Sequence, residues 1–145
     1  MANQLIGSRS SWVWILALLL AGIWFAATGN RAPSHSFNIK SVSIADAKAL
    51  VEAGALVIDV RGEDQFGSRH IPGALPIPLE VLRVGIPAAL ASAKARPILV
   101  YCNEGLVHGP EGTDILNKAG FTQVVNLESG IEGWDRAGLP VERAK

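Results

Sequence analysis

Short apolar runs, separated by segments that carry helix signals, set the strongest limit on what this chain can fold into. Leu56-Val-Ile-Asp-Val60 is nearly all apolar and suits a parallel strand covered on both faces. Ile98 to Tyr101 and Val124-Val-Asn-Leu127 read as further strands. Between them, Ser43-Ile-Ala-Asp46 has the capping-box spacing with Asp in place of Glu, and opens a helix through Ala49, Leu50 and Val51 that stops at Gly54. Gly62 to Arg69 is polar with one aromatic, Phe66, and His70 to Pro78 is a proline-punctuated extended stretch. A helix is expected from Glu80 to Ala93, interrupted or split by Gly85 and Pro87. Pro110 suits the first turn of the next helix, which turns Ile115 and Leu116 inward and stops at Gly120. Ser129-Gly-Ile-Glu-Gly-Trp134 reads as a short helix with Trp134 packed down, ended by Gly138 and Pro140. Such alternation implies an α/β domain with a central parallel sheet flanked by helices on both faces. Ligands are then expected beyond the carboxyl ends of the strands.

The amino-terminal segment is unsuited to that core. From Ser10 to Asn30 no residue is charged, and as a helix the stretch would span about 30 Å, the thickness of a hydrocarbon layer. Trp12, Trp14 and Trp24 sit near its two ends, where indole rings favour the headgroup boundary. We therefore expect one transmembrane signal-anchor over 1–30, a tether over 31–37 broken by Pro33, and a folded domain over 38–145. Ala26, Ala27 and Gly29 keep a cleaved signal peptide, and hence a secreted domain, as the alternative. The short amino-terminal flank favours a periplasmic or extracytoplasmic domain. Lys plus Arg and Asp plus Glu balance at 13 each, so no net field gathers nucleic acid.

Cys102 is the sole cysteine, and it stands where the apolar run gives way to a loop and a helix start. It cannot form an internal disulfide, so it is either buried filler or a working thiol. A sulfur at a strand's carboxyl end, where backbone amides converge, argues for reactivity. The three histidines are scattered without ligand spacing, so no metal site is expected, and no phosphate loop or cofactor motif occurs.

In order and spacing, Val57-Ile-Asp-Val-Arg61, Phe66, His70-Ile-Pro-Gly-Ala74, Val100-Tyr-Cys102 with Gly105, Ala119-Gly-Phe121, Asn126-Leu127, Gly130-Ile-Glu-Gly-Trp134 and Ala137-Gly-Leu-Pro140 form one series. By these pieces the chain resembles the single-domain rhodanese-like sulfurtransferases over about Ile39 to Val141. The resemblance implies a cysteine that takes sulfane sulfur from a small donor as a persulfide and passes it to a thiol acceptor. Thiolate attack on sulfur is the generic step of such exchange. It also implies a substrate-binding loop, here Asn103, Glu104, Gly105, Leu106, Val107 and His108 after the catalytic Cys102.

The loop departs from the family's usual Cys-Arg-x-Gly-x-Arg followed by Ser or Thr, since Asn103 and Val107 occupy both arginine positions. It is also about one residue longer, and His108-Gly-Pro110 stands where the related cell-cycle phosphatases and arsenate reductases carry Arg-Gly-Pro. Losing a bidentate fork weakens the hold on oxyanions. Loop amides and the helix start favour a thiolate, assisted by His108 if protonated, whereas Glu104 and Glu111 oppose one. Thiosulfate is accordingly expected to be a poorer donor than a less charged persulfide or polysulfide. A non-catalytic sulfur-binding module and a phosphatase-like or arsenate-reductase-like enzyme are the competing classes. Asp59 with Arg61 is expected to form a structural ion pair, His70 a chain brace, and His35 a tether decoration.

Overall fold

The computed structural model describes residues 36–144. The expected span over 1–30, most of the tether and His35 lie outside the described residues. Among the described residues no helix is long and apolar enough to cross a membrane.

Five strands, β1 (Ser41–Val42), β2 (Leu56–Asp59), β3 (Leu75–Pro76), β4 (Ile98–Tyr101) and β5 (Val124–Leu127), form one sheet in the order β1-β5-β4-β2-β3. Every pairing in it is parallel. The connections carry helices α1 (Ile44–Glu52), α2 (Glu63–Ser68), α3 (Leu79–Val84), α4 (His108–Lys118) and α5 (Gly130–Arg136), with a 3₁₀ segment at Ala88–Ala93. Side chains alternate across the sheet because successive Cβ atoms point to opposite faces. Ile58, Ile98, Val100 and Val124 pack with Leu79, Leu82, Leu90 and Leu116 on one side. Val57, Leu99, Tyr101 and Leu127 pack with Ala47, Ile131 and Trp134 on the other. The sheet thus buries both faces, which is why its strands read as unbroken apolar runs.

Local signals act as the residue types require. Ser43 caps α1, its Oγ accepting the Asp46 N–H at 3.2 Å, and the same hydroxyl donates to Asp46 Oδ2 at 2.8 Å. The acid therefore braces the capping hydroxyl. The helix expected over 80–93 is divided, α3 closing at Gly85 and the 3₁₀ segment following Pro87. A proline there has no N–H to give and its ring crowds the carbonyl four residues back. Helix α4 begins at His108, two residues before Pro110, because a missing N–H is tolerated anywhere in the first turn. Helix α2 has no apolar stripe to announce it. It buries no residue and has Glu63 and Asp64 in its first turn, where acids favour the helix dipole. Trp134 packs into the core, and its Nε1–H donates to the Pro140 carbonyl at 2.9 Å.

Asp59 and Arg61 form the expected buried pair at the end of β2. Arg61 Nη2 lies 2.6 Å from Asp59 Oδ2, and Nε donates to Asp59 Oδ1 at 2.9 Å. Nη2 also donates to the Arg69 carbonyl at 2.7 Å, and the guanidinium stands 5.6 Å over the Tyr101 ring. Burial opposes the charge on Arg61, but the hydrogen bonds and charge of Asp59 outweigh it, so its pKa rises. Burial, then the Asp59 charge, pushes the Tyr101 phenol up as well, and its oxygen accepts the Ile71 N–H. His70 stacks on Phe66 with centroids 3.9 Å apart, its Nδ1 lies 2.9 Å from the Phe66 carbonyl, and its backbone pairs with Glu142. It is a brace between α2 and the carboxy-terminal segment.

Removing one partner of the buried pair strands the other's charge. Arg61→Leu is expected to lose about 3–5 kcal/mol in urea unfolding, while Asp59→Leu/Arg61→Met, which buries no charge, loses less.

Candidate functional site

The pleat of β4 decides where the thiol points. Ile98 and Val100 face α4, Leu99 and Tyr101 face α1 and α5, and the next step of the alternation puts Cys102 on the α4 side. Cys102 shares that core cluster. On β5 the same phase places Asn126 on the α4 side, two residues after Val124. Register pairs Asn126 with Val100, so Asn126 lies one strand over from Cys102 and one pleat below it.

Residues 102–107 then carry the chain to α4, and the carbonyls of Cys102, Asn103 and Gly105 are held from outside the loop. At the start of α5, where helical N–H groups have no partner within the helix, Ile131 N–H donates to the Cys102 carbonyl at 2.9 Å. Glu132 N–H donates to the Asn103 carbonyl at 3.0 Å. Asn126 Nδ2 donates to the Gly105 carbonyl at 3.0 Å. In a trans peptide the N–H opposes the carbonyl, and no described peptide bond is cis. Since α5 covers the face opposite the thiol, the Asn103 and Glu104 N–H groups are turned toward the thiol's side. The Gly105 N–H completes the arrangement by donating to Cys102 Sγ at 3.2 Å. One backbone N–H thus points at the sulfur.

Two glycines make the close approach possible. Gly105 has φ 75°, and a Cβ on it would collide with the Leu127 and Glu128 carbonyls. Gly130 has φ 55°, and a Cβ there would collide with the Cys102 and Asn103 carbonyls that α5 holds.

The candidate loop residues divide by environment. Cys102 is buried, 6% exposed. Asn103 is half-buried and turns its side chain toward the sheet, Oδ1 accepting from Arg61 Nη1 at 3.1 Å. Gly105 is buried. Glu104 and His108 are exposed, as are Leu106 at 69% and Val107 at 57%. His108 is the first residue of α4, and solvent screens its imidazole, so the main chain rather than this side chain dominates the field at sulfur.

Glu111 differs from expectation. Arg83 of α3 grips it with Nε at 2.7 Å and Nη2 at 2.8 Å, and this hydrogen bonding raises the pKa of Arg83. Its carboxylate is therefore compensated and does not act as a bare negative charge beside the thiol. Sequence reasoning missed Asn126 as a site residue, although a polar residue within an otherwise apolar buried strand is its signal. A cavity of about 860 Å³ lies elsewhere, along β1 and the starts of β4 and β5, with Lys40 and Asp46 on its wall. None of its lining residues belongs to the thiol loop.

A sequence model described as the Rhodanese-like domain matches residues 43–137. This chain belongs to the rhodanese-like domain family. The chain is 31% identical over 104 residues to a protein named Sulfurtransferase from Allochromatium vinosum, covering 71% of this chain and 92% of that one. It is 28% identical over 132 residues to the uncharacterized protein YibN of Escherichia coli strain K12, covering 90% and 92%. Among solved structures, the Alr3790 protein from Anabaena superposes with a TM-score of 0.61 at 28% identity, covering 71% of this chain and 92% of that one.

For this rhodanese-like domain, Gly130→Ala forces the α5 start away from the loop carbonyls. Backbone strain of that kind costs about 1–3 kcal/mol, and the alkylation rate of Cys102 by iodoacetamide is expected to fall. Gly138→Ala, which also has positive φ but open space around it, is expected to leave alkylation unchanged.

Proposed function

We propose that this domain is a sulfurtransferase that carries sulfane sulfur as a persulfide on Cys102. The supporting observation is the Gly105 N–H on Sγ at 3.2 Å, within a loop whose carbonyls at 102, 103 and 105 are drawn away by other donors. The Cys102 thiolate attacks the outer sulfur of a donor persulfide. A bond forms from Sγ to that sulfur, the donor's S–S bond breaks, and the donor thiolate leaves with the electron pair. An acceptor thiolate then attacks the terminal sulfur and Cys102 departs as thiolate, so the cycle consumes no outside oxidant. Amides of residues 103–108 form the cradle, and His108 adds a positive bias whenever it is protonated.

The charge around the loop favours a small persulfide or polysulfide over thiosulfate. Neither position 103 nor 107 offers a guanidinium, Arg61 is committed to Asp59, and Arg83 is committed to Glu111. Glu104 is exposed on the loop and repels a dianion. The same lack of a guanidinium disfavours phosphoryl or arsenate chemistry, which depends on charge stabilisation of the transferring group. The low exposure of Cys102, together with the loss of both loop arginines, supports a non-catalytic sulfur-binding module as the second reading. The uncharged stretch Ser10 to Asn30 with its flanking tryptophans supports a membrane-tethered protein.

Intact mass after exposure to a small organic persulfide is expected to show one added sulfur, absent in Cys102→Ser. An unreactive wild-type thiol would favour the binding module. In steady-state assays, Val107→Arg is expected to raise turnover with thiosulfate by roughly tenfold while leaving the organic persulfide within about twofold. Faster wild-type turnover with thiosulfate than with persulfide would overturn the donor assignment.

A further inference from the structure

Asn126 is 1% exposed on β5, where its neighbours Val124 and Leu127 are apolar core. Both of its amide hydrogens are used, one on the Gly105 carbonyl at 3.0 Å and one on Ser41 Oγ at 3.2 Å. The Gly105 carbonyl can only accept, so it dictates which end of the carboxamide faces it. Oδ1 is left buried without a hydrogen-bond partner, the sole such side-chain atom among the described residues. It lies against Gly109 in the first turn of α4, where a Cβ would collide with Oδ1 and stand 3.4 Å from Cys102 Sγ. An unpaired buried acceptor costs stability that an apolar side chain at this strand position would not. What the carboxamide supplies in return is control of one loop residue. Gly105 gives its N–H to Cys102 Sγ and its carbonyl to Asn126, so the two side chains hold opposite ends of the same residue.

We propose that Asn126 is the positioning residue for the Cys102 nucleophile, acting through Gly105 from the neighbouring strand. Without its Nδ2 the Gly105 peptide is free to rotate, and its carbonyl, a repulsive dipole, can turn toward sulfur. The inference deepens the sulfurtransferase reading and rests on it for its biological meaning, but its physical content concerns the thiolate alone. Cys102 is the only cysteine, so alkylation reports this site without interference.

The test is the pH profile of iodoacetamide alkylation on the full chain, with thermal unfolding run in parallel. Asn126→Ala is expected to slow alkylation at pH 7 by about tenfold and to move the profile to higher pH, as loss of one hydrogen bond to a charged group implies. Ser41→Ala, which leaves the Gly105 contact intact, keeps the wild-type profile. Leu127→Ala, a core truncation on the opposite face, lowers unfolding temperature and also keeps the profile. If Asn126→Ala does not fold, Asn126→Leu is used, which fills the carboxamide's space with an apolar side chain and supplies no donor to Gly105. An unchanged profile in the Asn126 variant, or an equal shift in Leu127→Ala, overturns the proposal. Failure of the sulfurtransferase reading looks different: a wild-type thiol that alkylates readily yet gains no sulfur from the persulfide.

Discussion

Where three carbonyl oxygens go decides whether this loop attracts or repels an anion. A backbone turn around a sulfur can present either end of its peptide dipoles, and the two ends differ in sign. Here Cys102 and Asn103 surrender their carbonyls to the first N–H groups of α5, and Gly105 surrenders its own to Asn126. Each of those donors would otherwise need a partner, the helical ones because the first turn has none. One set of hydrogen bonds therefore satisfies the start of a helix and orients the amides of the loop. The sheet supplies the scaffold, since parallel strands end together and bring β4, β5 and the start of α5 to the same edge.

The guanidinium groups near the site are used for structure. Arg61 holds Asp59, the Arg69 carbonyl and Asn103, joining the end of β2 to the loop across 42 residues of chain. Its role toward the loop is mechanical, since its charge is matched by a buried carboxylate. Arg83 is similarly matched by Glu111, which ties α3 to the first turn of α4. What remains exposed on the loop is Glu104, His108 and two apolar side chains, Leu106 and Val107. A donor arriving here meets little attraction for a doubly charged group.

Much of the fold was legible because its strands are covered on both sides. Buried parallel strands need no polar alternation, so Leu56–Asp59, Ile98–Tyr101 and Val124–Leu127 stand out as apolar runs, and the capping serine and the glycine stops bound the helices between them. Helix α2 was not legible, since six residues with Phe66 as their one large apolar side chain carry no period to detect. Cys102 stood out as the sole cysteine at the end of an apolar run, and the loop after it was expected from the family resemblance. The direction of Asn103 was not, because it depends on Arg61, and the compensation of Glu111 was not, because Arg83 lies 28 residues earlier. Asn126 gave a faint signal, one amide among apolar neighbours, whose meaning appears only when the register places it beneath the thiol.

Activating a nucleophile and recruiting an anion are separable tasks, and on the proposed reading this site separates them. Backbone dipoles act at short range and favour a single negative charge that is already seated among them. A guanidinium fork does that too, but it also draws a free oxyanion from solution and fixes it through two hydrogen bonds. On the proposed sulfurtransferase reading, the amide on Cys102 Sγ does the first task, and the absence of a fork at positions 103 and 107 leaves thiosulfate-like dianions unselected. In that reading, selectivity would pass to shape and to the exposed apolar side chains Leu106 and Val107, which a small alkyl persulfide could touch without desolvating an unpaired charge. The proposed reaction would lose nothing by the exchange, because the leaving thiolate of a persulfide departs with one charge and needs no arginine to carry it away.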